Sequence, residues 1–380
     1  MLASTYLIFF SPESNREVTG SIIDKSVHGF IPFSYAPYFI PFKKLFSKRN
    51  ENTKGSGIMI VGYTILLFII SIAQNNRTSF MLGFTSIGFT YGLGLLIGSF
   101  RPYLFSFKNI MFILIGFWLI TGPIADLGTA MVIVRGDRND IKASELIMRT
   151  LEKFQDKRAI ERRRNEDRIQ QEEWDERYLN NIIIARFANL KFNDISLIQE
   201  LKIGDKNIDM YNYSINYIWG ALPDPFLKFL NINVNKEFIY SISFGDYLYY
   251  LANSDSEVSV GYRLGHFSGT GMAAFGWWYL LILGVGIIPI FLLFDLFVIK
   301  AKIKAWNGQV IVSDLKFSLC GLLSLTSIFL FLPSESVVAV IIFLIRGWLQ
   351  LVILYLVVFY FTNFAYKIMN AFTLKLNHNN

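Results

Sequence analysis

The chain has very few of the residues on which metal and redox chemistry depend. Its 380 residues include one cysteine, Cys320, and three histidines, His28, His266 and His378. A lone cysteine excludes a disulfide framework, and histidines this far apart lack the ligand spacing of a zinc site. The sequence also has no phosphate-binding P-loop, no H-E-x-x-H pattern and no G-x-S-x-G pattern. We therefore expect neither a metal nor a cofactor.

Charged residues are scarce as well. They make up 17% of the chain, whereas 53% of the residues are hydrophobic and 16% are aromatic. A soluble domain has about 25% charged residues, so these values and the long apolar runs predict an all-α, polytopic integral membrane protein. The net charge of +7 arises from short basic loops and one charged run. It does not indicate binding to nucleic acid.

Six apolar runs predict strong transmembrane helices. They cover residues 57–73, 79–100, 109–123, 272–299, 315–332 and 337–361. A weaker N-terminal segment, 28–45, contains three prolines, and membrane helices tolerate proline where neighbouring groups bond the freed backbone. Residues 1–10 are apolar but too short to span a bilayer, and they resemble the second half of a further helix.

Basic loops orient these helices, because cytoplasmic loops of membrane proteins are enriched in lysine and arginine. The basic loops lie at 43–54, 101–108 and 300–304, and further lysines follow the last run. The predicted organisation is N-terminal segments and a basic cytoplasmic loop (1–56), helices one to three (57–134), one large, partly helical outer loop (135–271), helices four to six (272–362) and a cytoplasmic tail (363–380).

A glycine-rich stretch, residues 261–278, leads from the outer loop back into the membrane. Its sequence is GYRLGHFSGTGMAAFGWW, and a helix is predicted to begin near Met272. Free amides at a helix N-terminus bind anions. The candidates for binding a phosphate or pyrophosphate are therefore the amides near Gly271, with Arg263, His266, Ser268 and Thr270 just upstream. The alternative is a re-entry turn with an interfacial arginine.

Further candidate residues lie at the predicted outer ends of the spans. They are Arg77, Asp126, Arg135, Arg138 and, within the outer loop, Arg186. Arginines at one interface suit a membrane-presented polyanion, because guanidinium binds phosphate bidentately. Arg346 lies within the sixth run, where a charge is a functional hypothesis by default. Its alternatives are snorkelling or pairing with a neighbouring helix, with Glu335 or Asp295 as partners.

The outer loop contains two tyrosine-rich segments, 210–219 and 238–251. Tyrosine rings populate membrane–water interfaces, and they also stack on sugar faces. We favour the interface and retain a sugar platform as the alternative. A charge-dense helix is predicted over 143–178, and its arginines are interpreted as a solvated face.

Four stretches resemble the bacterial oligosaccharide repeat-unit polymerases, the O-antigen or Wzy-type polymerases. They are AQNNRTSF at 73–80, VIVRGDRND at 132–140, IARFANLKFND at 184–194 and YRLGHFSGTGMAAFGW at 262–277. The resemblance covers about residues 30–362 and lies in the spans, the single large outer loop and the arginine positions. It implies an N-terminally shortened chain, since the family usually has more spans before the first strong one.

The resemblance implies a metal-independent enzyme in the bacterial inner membrane, with its large loop outside. Such enzymes join glycan repeat units on undecaprenyl pyrophosphate, in pathways that include a flippase and a chain-length regulator. Here His266 or Asp126 would be the base, and Arg77, Arg135, Arg186 and Arg263 would neutralise the leaving pyrophosphate. The alternatives are an O-antigen ligase, a lipid-linked oligosaccharide transporter and a non-catalytic membrane partner of polysaccharide synthesis.

Overall fold

The computed structural model describes most of the chain. It covers residues 27, 29–47, 56–75, 77–99, 107–139, 141–169, 190–253, 265–304, 310–330 and 335–378. The predicted half-span at 1–10 lies outside these residues. The segment with three prolines forms a 3-10 helix, Ile31–Leu45, because proline lacks the N–H that a continuous α-helix requires.

Helices make up nearly all of the described structure, which confirms the helical fold class. Helices α1 to α6 are Ser56–Ala73, Arg77–Leu96, Phe107–Thr121, Pro123–Ile133, Ala143–Gln155 and Lys157–Ile169. Helices α7 to α12 are Leu190–Ile203, Ile208–Gly220, Asp224–Phe229, Lys236–Ser241, Phe244–Asn253 and Phe267–Phe275. Helices α13 to α16 are Trp278–Asp295, Leu319–Leu330, Val338–Ile342 and Trp348–His378. A π-helical turn, Phe343–Gly347, joins α15 to α16.

Four helical stretches in the described part of the chain are long and apolar enough to cross a membrane. They are Ser56–Ala73, Leu114–Asp137, Trp278–Asp295 and Val338–Ile368. The class of membrane protein is thereby supported, but the predicted count of six strong spans is not. The apolar part of α2, Leu82–Leu96, is shorter. The predicted span at 315–332 is divided between the end of a strand and the 12-residue helix α14.

A β-hairpin replaces the predicted basic loop after α13. Strand β1, Val298–Lys304, pairs antiparallel with β2, Val310–Phe317, and Val298 lies opposite Phe317. The sequence of β1, VIKAKIK, places lysine at every second position. That two-residue period is typical of a strand with one polar face, and the all-helical prediction overlooked it.

Helices of the outer loop pack on the beginning of the last apolar stretch. Their core contains Met210, Tyr213, Ile239, Phe244, Leu248, Ala273, Ala274 and Val338, which are all buried. Val338 belongs to the apolar stretch 338–368, so this contact fixes the helices between residues 208 and 275 to one of the four long apolar stretches. Glu335 strengthens the junction: its Oε2 accepts a hydrogen bond from the Phe244 amide at 3.2 Å, and its backbone oxygen accepts one from the Thr270 hydroxyl at 2.7 Å.

Candidate functional site

The glycine-rich stretch forms helix α12, which begins at Phe267, five residues earlier than predicted. His266 precedes it in an extended conformation, and the helix ends at Gly276. Gly276 has a φ of +58°, a left-handed conformation that glycine adopts without strain. The chain then turns into α13, so the predicted single span 272–299 is two helices with a break at Gly276.

The loop before α12 is fixed to α7, although about 70 residues separate the two in sequence. The His266 amide donates a hydrogen bond to the Ser196 hydroxyl at 2.9 Å. The backbone oxygen of His266 accepts a hydrogen bond from the Thr270 amide at 3.1 Å. The single proton of the Thr270 hydroxyl is shared between this oxygen, at 3.0 Å, and the Glu335 backbone oxygen, at 2.7 Å. Both backbone groups of His266 are therefore bonded, and the imidazole is held at the N-terminus of α12.

A chain of side-chain hydrogen bonds extends from the imidazole to a carboxylate. His266 Nδ1 lies 2.9 Å from the Ser268 Oγ, and the Ser268 hydroxyl donates to Asn193 Oδ1. The Asn193 Nδ2 points at Asp194 Oδ1 at 3.4 Å. We refer to His266, Ser268, Asn193 and Asp194 as the His266 relay.

His266 Nδ1 has two neighbouring groups on Ser268, and its role towards them depends on the tautomer of the imidazole. As the cap of α12, Nδ1 faces the Ser268 amide at 3.4 Å, and it lies 2.9 Å from Ser268 Oγ. In the tautomer that carries the proton on Nδ1, this nitrogen donates to Ser268 Oγ and the Ser268 hydroxyl donates to Asn193 Oδ1. In that tautomer the lone pair lies on Nε2, which makes no hydrogen bond to a described residue.

The surroundings of His266 favour its neutral form. Burial lowers the pKa of the imidazole below its ordinary value, and the Asp194 carboxylate partly opposes that shift. A neutral imidazole with a lone pair on Nε2 can accept a proton from a hydroxyl group. The arrangement therefore has the chemical properties of a general base.

Gly271, the proposed anion-binding position, lies inside α12 rather than before it. It is the fifth helical residue, so its N–H is bonded within the helix rather than free for a ligand. A Cβ at this position would lie 2.8 Å from the Tyr279 Cβ. In this structure the glycine allows α12 to pack closely on α13.

Asp126, the other candidate base, forms two ion pairs in the first turn of α4. One of its carboxylate oxygens lies 2.5 Å from Lys157 Nζ and the other lies 2.7 Å from an Arg164 Nη. The side chain is 17% exposed. Among the described residues, Asp126 has no hydrogen bond or ion pair with the His266 relay. The structure thus gives Asp126 a role in joining α6 to α4.

The structure describes the backbone and the side chain at only some of the candidate arginines. Arg186 and Arg263 lie outside the described residues, and the backbone but not the side chain is described at Arg77 and Arg138. Arg135 is partly buried in a 3-10 turn, Val134–Asn139. Their role in binding a pyrophosphate stays a prediction.

Arg346 lies in the π-helical turn, and the hydrogen bond that it makes to a described residue is with neither Glu335 nor Asp295. Its Nη1 donates a hydrogen bond to the backbone oxygen of Ala221 at 3.2 Å. Ala221 is the C-terminal cap of α8, where unpaired carbonyl groups and the helix dipole favour a cation. This partner is a backbone oxygen, which sequence patterns do not reveal.

The tyrosine-rich segments meet in the core of the outer region. Tyr213 is 3% exposed, and its hydroxyl donates toward the backbone oxygens of Ile239 and Ile242. Its ring stacks on that of Tyr247 with centroids 4.2 Å apart. A buried ring does not offer a face to a sugar, so the structure assigns Tyr213 a packing role.

Sequence reasoning named His266 and noticed Ser268 but missed Asn193, Asp194 and Ser196. Asn193 and Asp194 end the third stretch of the family resemblance, which was the available signal. No protein-family model, curated protein or solved structure matches the chain. The interpretation of the site therefore depends on its own geometry.

Proposed function

We propose that the chain is a glycan repeat-unit polymerase of the bacterial inner membrane. Its substrates are oligosaccharides linked to undecaprenyl pyrophosphate, which it joins at the outer face into O-antigen or exopolysaccharide. The observation that supports the proposal is the His266 relay, which fixes a half-buried imidazole at the N-terminus of α12, shortly before the apolar helix α13. An enzyme acting on a lipid-linked donor needs its base close to a membrane-spanning helix.

The proposed reaction is one glycosyl transfer. A hydroxyl of the acceptor repeat unit attacks the anomeric carbon of the donor glycan, and its proton passes to His266 Nε2. The new glycosidic C–O bond forms as the bond from the anomeric carbon to pyrophosphate breaks. Undecaprenyl pyrophosphate leaves with the electron pair, so it needs neutralisation more than protonation.

We assign the arginines to the neutralisation of the charge on the leaving pyrophosphate. Arg263 precedes His266 by three residues, and Arg186 precedes Asp194 by eight, so both are near the relay in sequence. Arg77 and Arg135 lie at the predicted outer ends of other spans. In this proposal they bind the pyrophosphate of the donor, and the relay positions the imidazole over the acceptor hydroxyl.

The test is the length distribution of surface polysaccharide in cells that lack the gene. The proposal predicts single repeat units on the lipid anchor after deletion, and a restored ladder with the unmutated chain but not with His266→Ala or Arg263→Ala. Membrane levels of each variant are measured on the same cells. Full-length polymer retained on the undecaprenyl carrier would instead indicate a ligase, and an unchanged ladder would refute the proposal.

A further inference from the structure

Tyr279, at the start of α13, is a buried tyrosine whose hydroxyl makes no hydrogen bond to a described residue. Its side chain is 8% exposed. Other buried tyrosines have such partners: the Tyr38 hydroxyl donates to Thr64 Oγ1 at 3.1 Å, and the Tyr213 hydroxyl donates toward two backbone oxygens. A buried hydroxyl without a partner destabilises a protein, so we expect a ligand to supply the partner of Tyr279.

The Tyr279 ring lies against the first half of α12. A Cβ on Gly271 would lie 2.8 Å from the Tyr279 Cβ and 2.9 Å from its Cγ. Phe267 is one helical turn before Gly271, and its ring centroid lies 6.4 Å from that of Tyr279. The Tyr279 ring therefore extends from Gly271 toward the first turn of α12.

Phe267 connects this ring to the His266 relay. The centroids of the His266 and Phe267 rings are 4.3 Å apart, and their planes are inclined by 36°. His266, Phe267 and Tyr279 thus form a row of three neighbouring rings. The row has an imidazole at one end, a phenol at the other and an apolar ring between them.

A row of this kind suits a sugar better than a phosphate. Aromatic rings contact the apolar faces of a sugar, and the hydroxyl groups of the sugar can bond to polar groups at both ends of the row. An anion is disfavoured here, because the Asp194 carboxylate acts on His266 strongly enough to raise its pKa against the effect of burial. The ligand that this chemistry fits is a neutral part of the glycan.

We propose that Tyr279 is a substrate-binding residue that donates a hydrogen bond to the acceptor sugar, next to the hydroxyl that attacks the donor. The inference rests on the proposed function, which places the attacking hydroxyl at His266 Nε2. A phenol can donate one hydrogen bond and accept another, so it suits a neighbouring hydroxyl or the ring oxygen of the same sugar. Tyr279 transfers no proton: it orients the acceptor, and His266 takes the proton.

The test measures glycan binding and protein stability separately. The full chain in lipid nanodiscs is titrated with the lipid-free oligosaccharide of one repeat unit, prepared from the surface polysaccharide of the cells. Isothermal titration calorimetry gives Kd, and thermal unfolding gives Tm. Tyr279→Phe is compared with Tyr213→Phe, which removes a hydroxyl that has partners inside the protein.

The unmutated protein is expected to bind the oligosaccharide. Tyr279→Phe should weaken Kd by about 3- to 10-fold, the usual loss for one hydrogen bond, without a decrease in Tm. Tyr213→Phe should lower Tm and leave Kd unchanged. An equal Kd for Tyr279→Phe and the unmutated protein would overturn the inference, as would a lower Tm for Tyr279→Phe or a failure of the unmutated protein to bind.

Failure of the proposed function has a different signature. A protein that binds the oligosaccharide through Tyr279 but releases no undecaprenyl pyrophosphate from a lipid-linked donor would retain this site and contradict the polymerase. Equal Kd values together with normal release would remove Tyr279 from the site and leave the polymerase in place.

Discussion

Gly269 and Ser196 are in backbone contact where α12 crosses α7. A Cβ on residue 269 would lie 2.2 Å from the Ser196 carbonyl carbon and 2.3 Å from its oxygen. Only glycine allows this approach, and the same crossing brings the Ser196 hydroxyl to the His266 amide. The close contact of two small residues is thus what assembles the His266 relay.

Gly269→Ala is expected to separate the two helices and to destabilise the protein by about 1–3 kcal/mol, the usual cost of overpacking. It also breaks the relay, so polymer is lost. Thermal unfolding in detergent measures the loss of stability, and the polysaccharide ladder measures the loss of polymer. Gly62→Ala is the matched control, because nothing lies within 4 Å of a Cβ at that position. A Gly269→Ala protein as stable as Gly62→Ala would contradict the proposed crossing.

Asp194→Asn is expected to shift the pH dependence of polymerisation. A base must be unprotonated, so the rate falls as pH decreases through the pKa of His266. Burial places that pKa below its ordinary value, and the Asp194 carboxylate raises it. Removal of the carboxylate therefore lowers the pKa, and the acidic limb of the rate profile moves to lower pH. Rates of the purified enzyme, measured across a pH series, give the pH at which the acidic limb falls.

The control for this shift is Asp209→Asn, an exposed carboxylate on α8 that should leave the limb in place. A limb that moves to higher pH in Asp194→Asn, or that does not move, would be inconsistent with His266 as the titrating base. Ser268→Ala adds a second comparison. It is expected to lower kcat more than it raises KM, because it removes the orientation of the imidazole and no contact with the substrate.

Two acidic side chains, Glu200 in the last turn of α7 and Asp205 just after the helix, predict a pH-dependent stability. Glu200 is 3% exposed, and burial together with its hydrogen bond to Asp205 raises its pKa to about 7. Between its ordinary pKa of about 4.3 and 7, the unfolded chain loses this proton while the folded chain keeps it. Stability therefore falls as pH rises through this window, and the fall is complete above it.

Glu200→Gln should remove this dependence. The wild-type protein is expected to be less stable at pH 8 than at pH 5 by up to about 3 kcal/mol from this group, at about 1.4 kcal/mol per pKa unit. Unfolding is measured at both pH values, with the exposed Glu237→Gln as control. If Glu200→Gln retains the full wild-type dependence, the assignment to Glu200 is incorrect.

Asp126→Asn separates the two candidate bases. Asp126 already binds Lys157 and Arg164, so its loss should lower stability by about 1 kcal/mol and leave the polymer ladder present. Lys157→Met should have a similar effect on stability, and Glu161→Gln, exposed on the same helix, should have none. A stable Asp126→Asn protein that makes no polymer would indicate that Asp126, not His266, is the base.

Local periodicity predicted much of the fold but few of the contacts in the site. The first span, predicted at 57–73, forms as Ser56–Ala73, because an uninterrupted apolar run leaves no other helix boundary. The hairpin does not follow from local patterns, because strand pairing is a contact between segments and short basic runs between apolar segments are also typical of cytoplasmic loops. The break at Gly276 depends on one backbone angle, which composition does not reveal.

The His266 relay illustrates the same limit. His266 and Ser268 are two residues apart in sequence, so both can be identified from the sequence alone. Asn193 meets them only because α7 and α12 cross at Gly269. Arg346 was recognised as a charge inside an apolar run, but its partner is a backbone oxygen on a distant helix. Contacts of this kind arise from packing, which no sequence spacing encodes.

The most direct test of the proposed function uses the purified protein in lipid nanodiscs with one undecaprenyl-pyrophosphate-linked repeat unit as both donor and acceptor. Mass spectrometry follows the products without added metal. We predict one doubled repeat unit on its carrier for each undecaprenyl pyrophosphate released, and a loss of about 100-fold or more in His266→Gln, the usual contribution of a general base. Equal rates for His266→Gln and the unmutated protein would contradict the account, as would a failure of the folded protein to release undecaprenyl pyrophosphate.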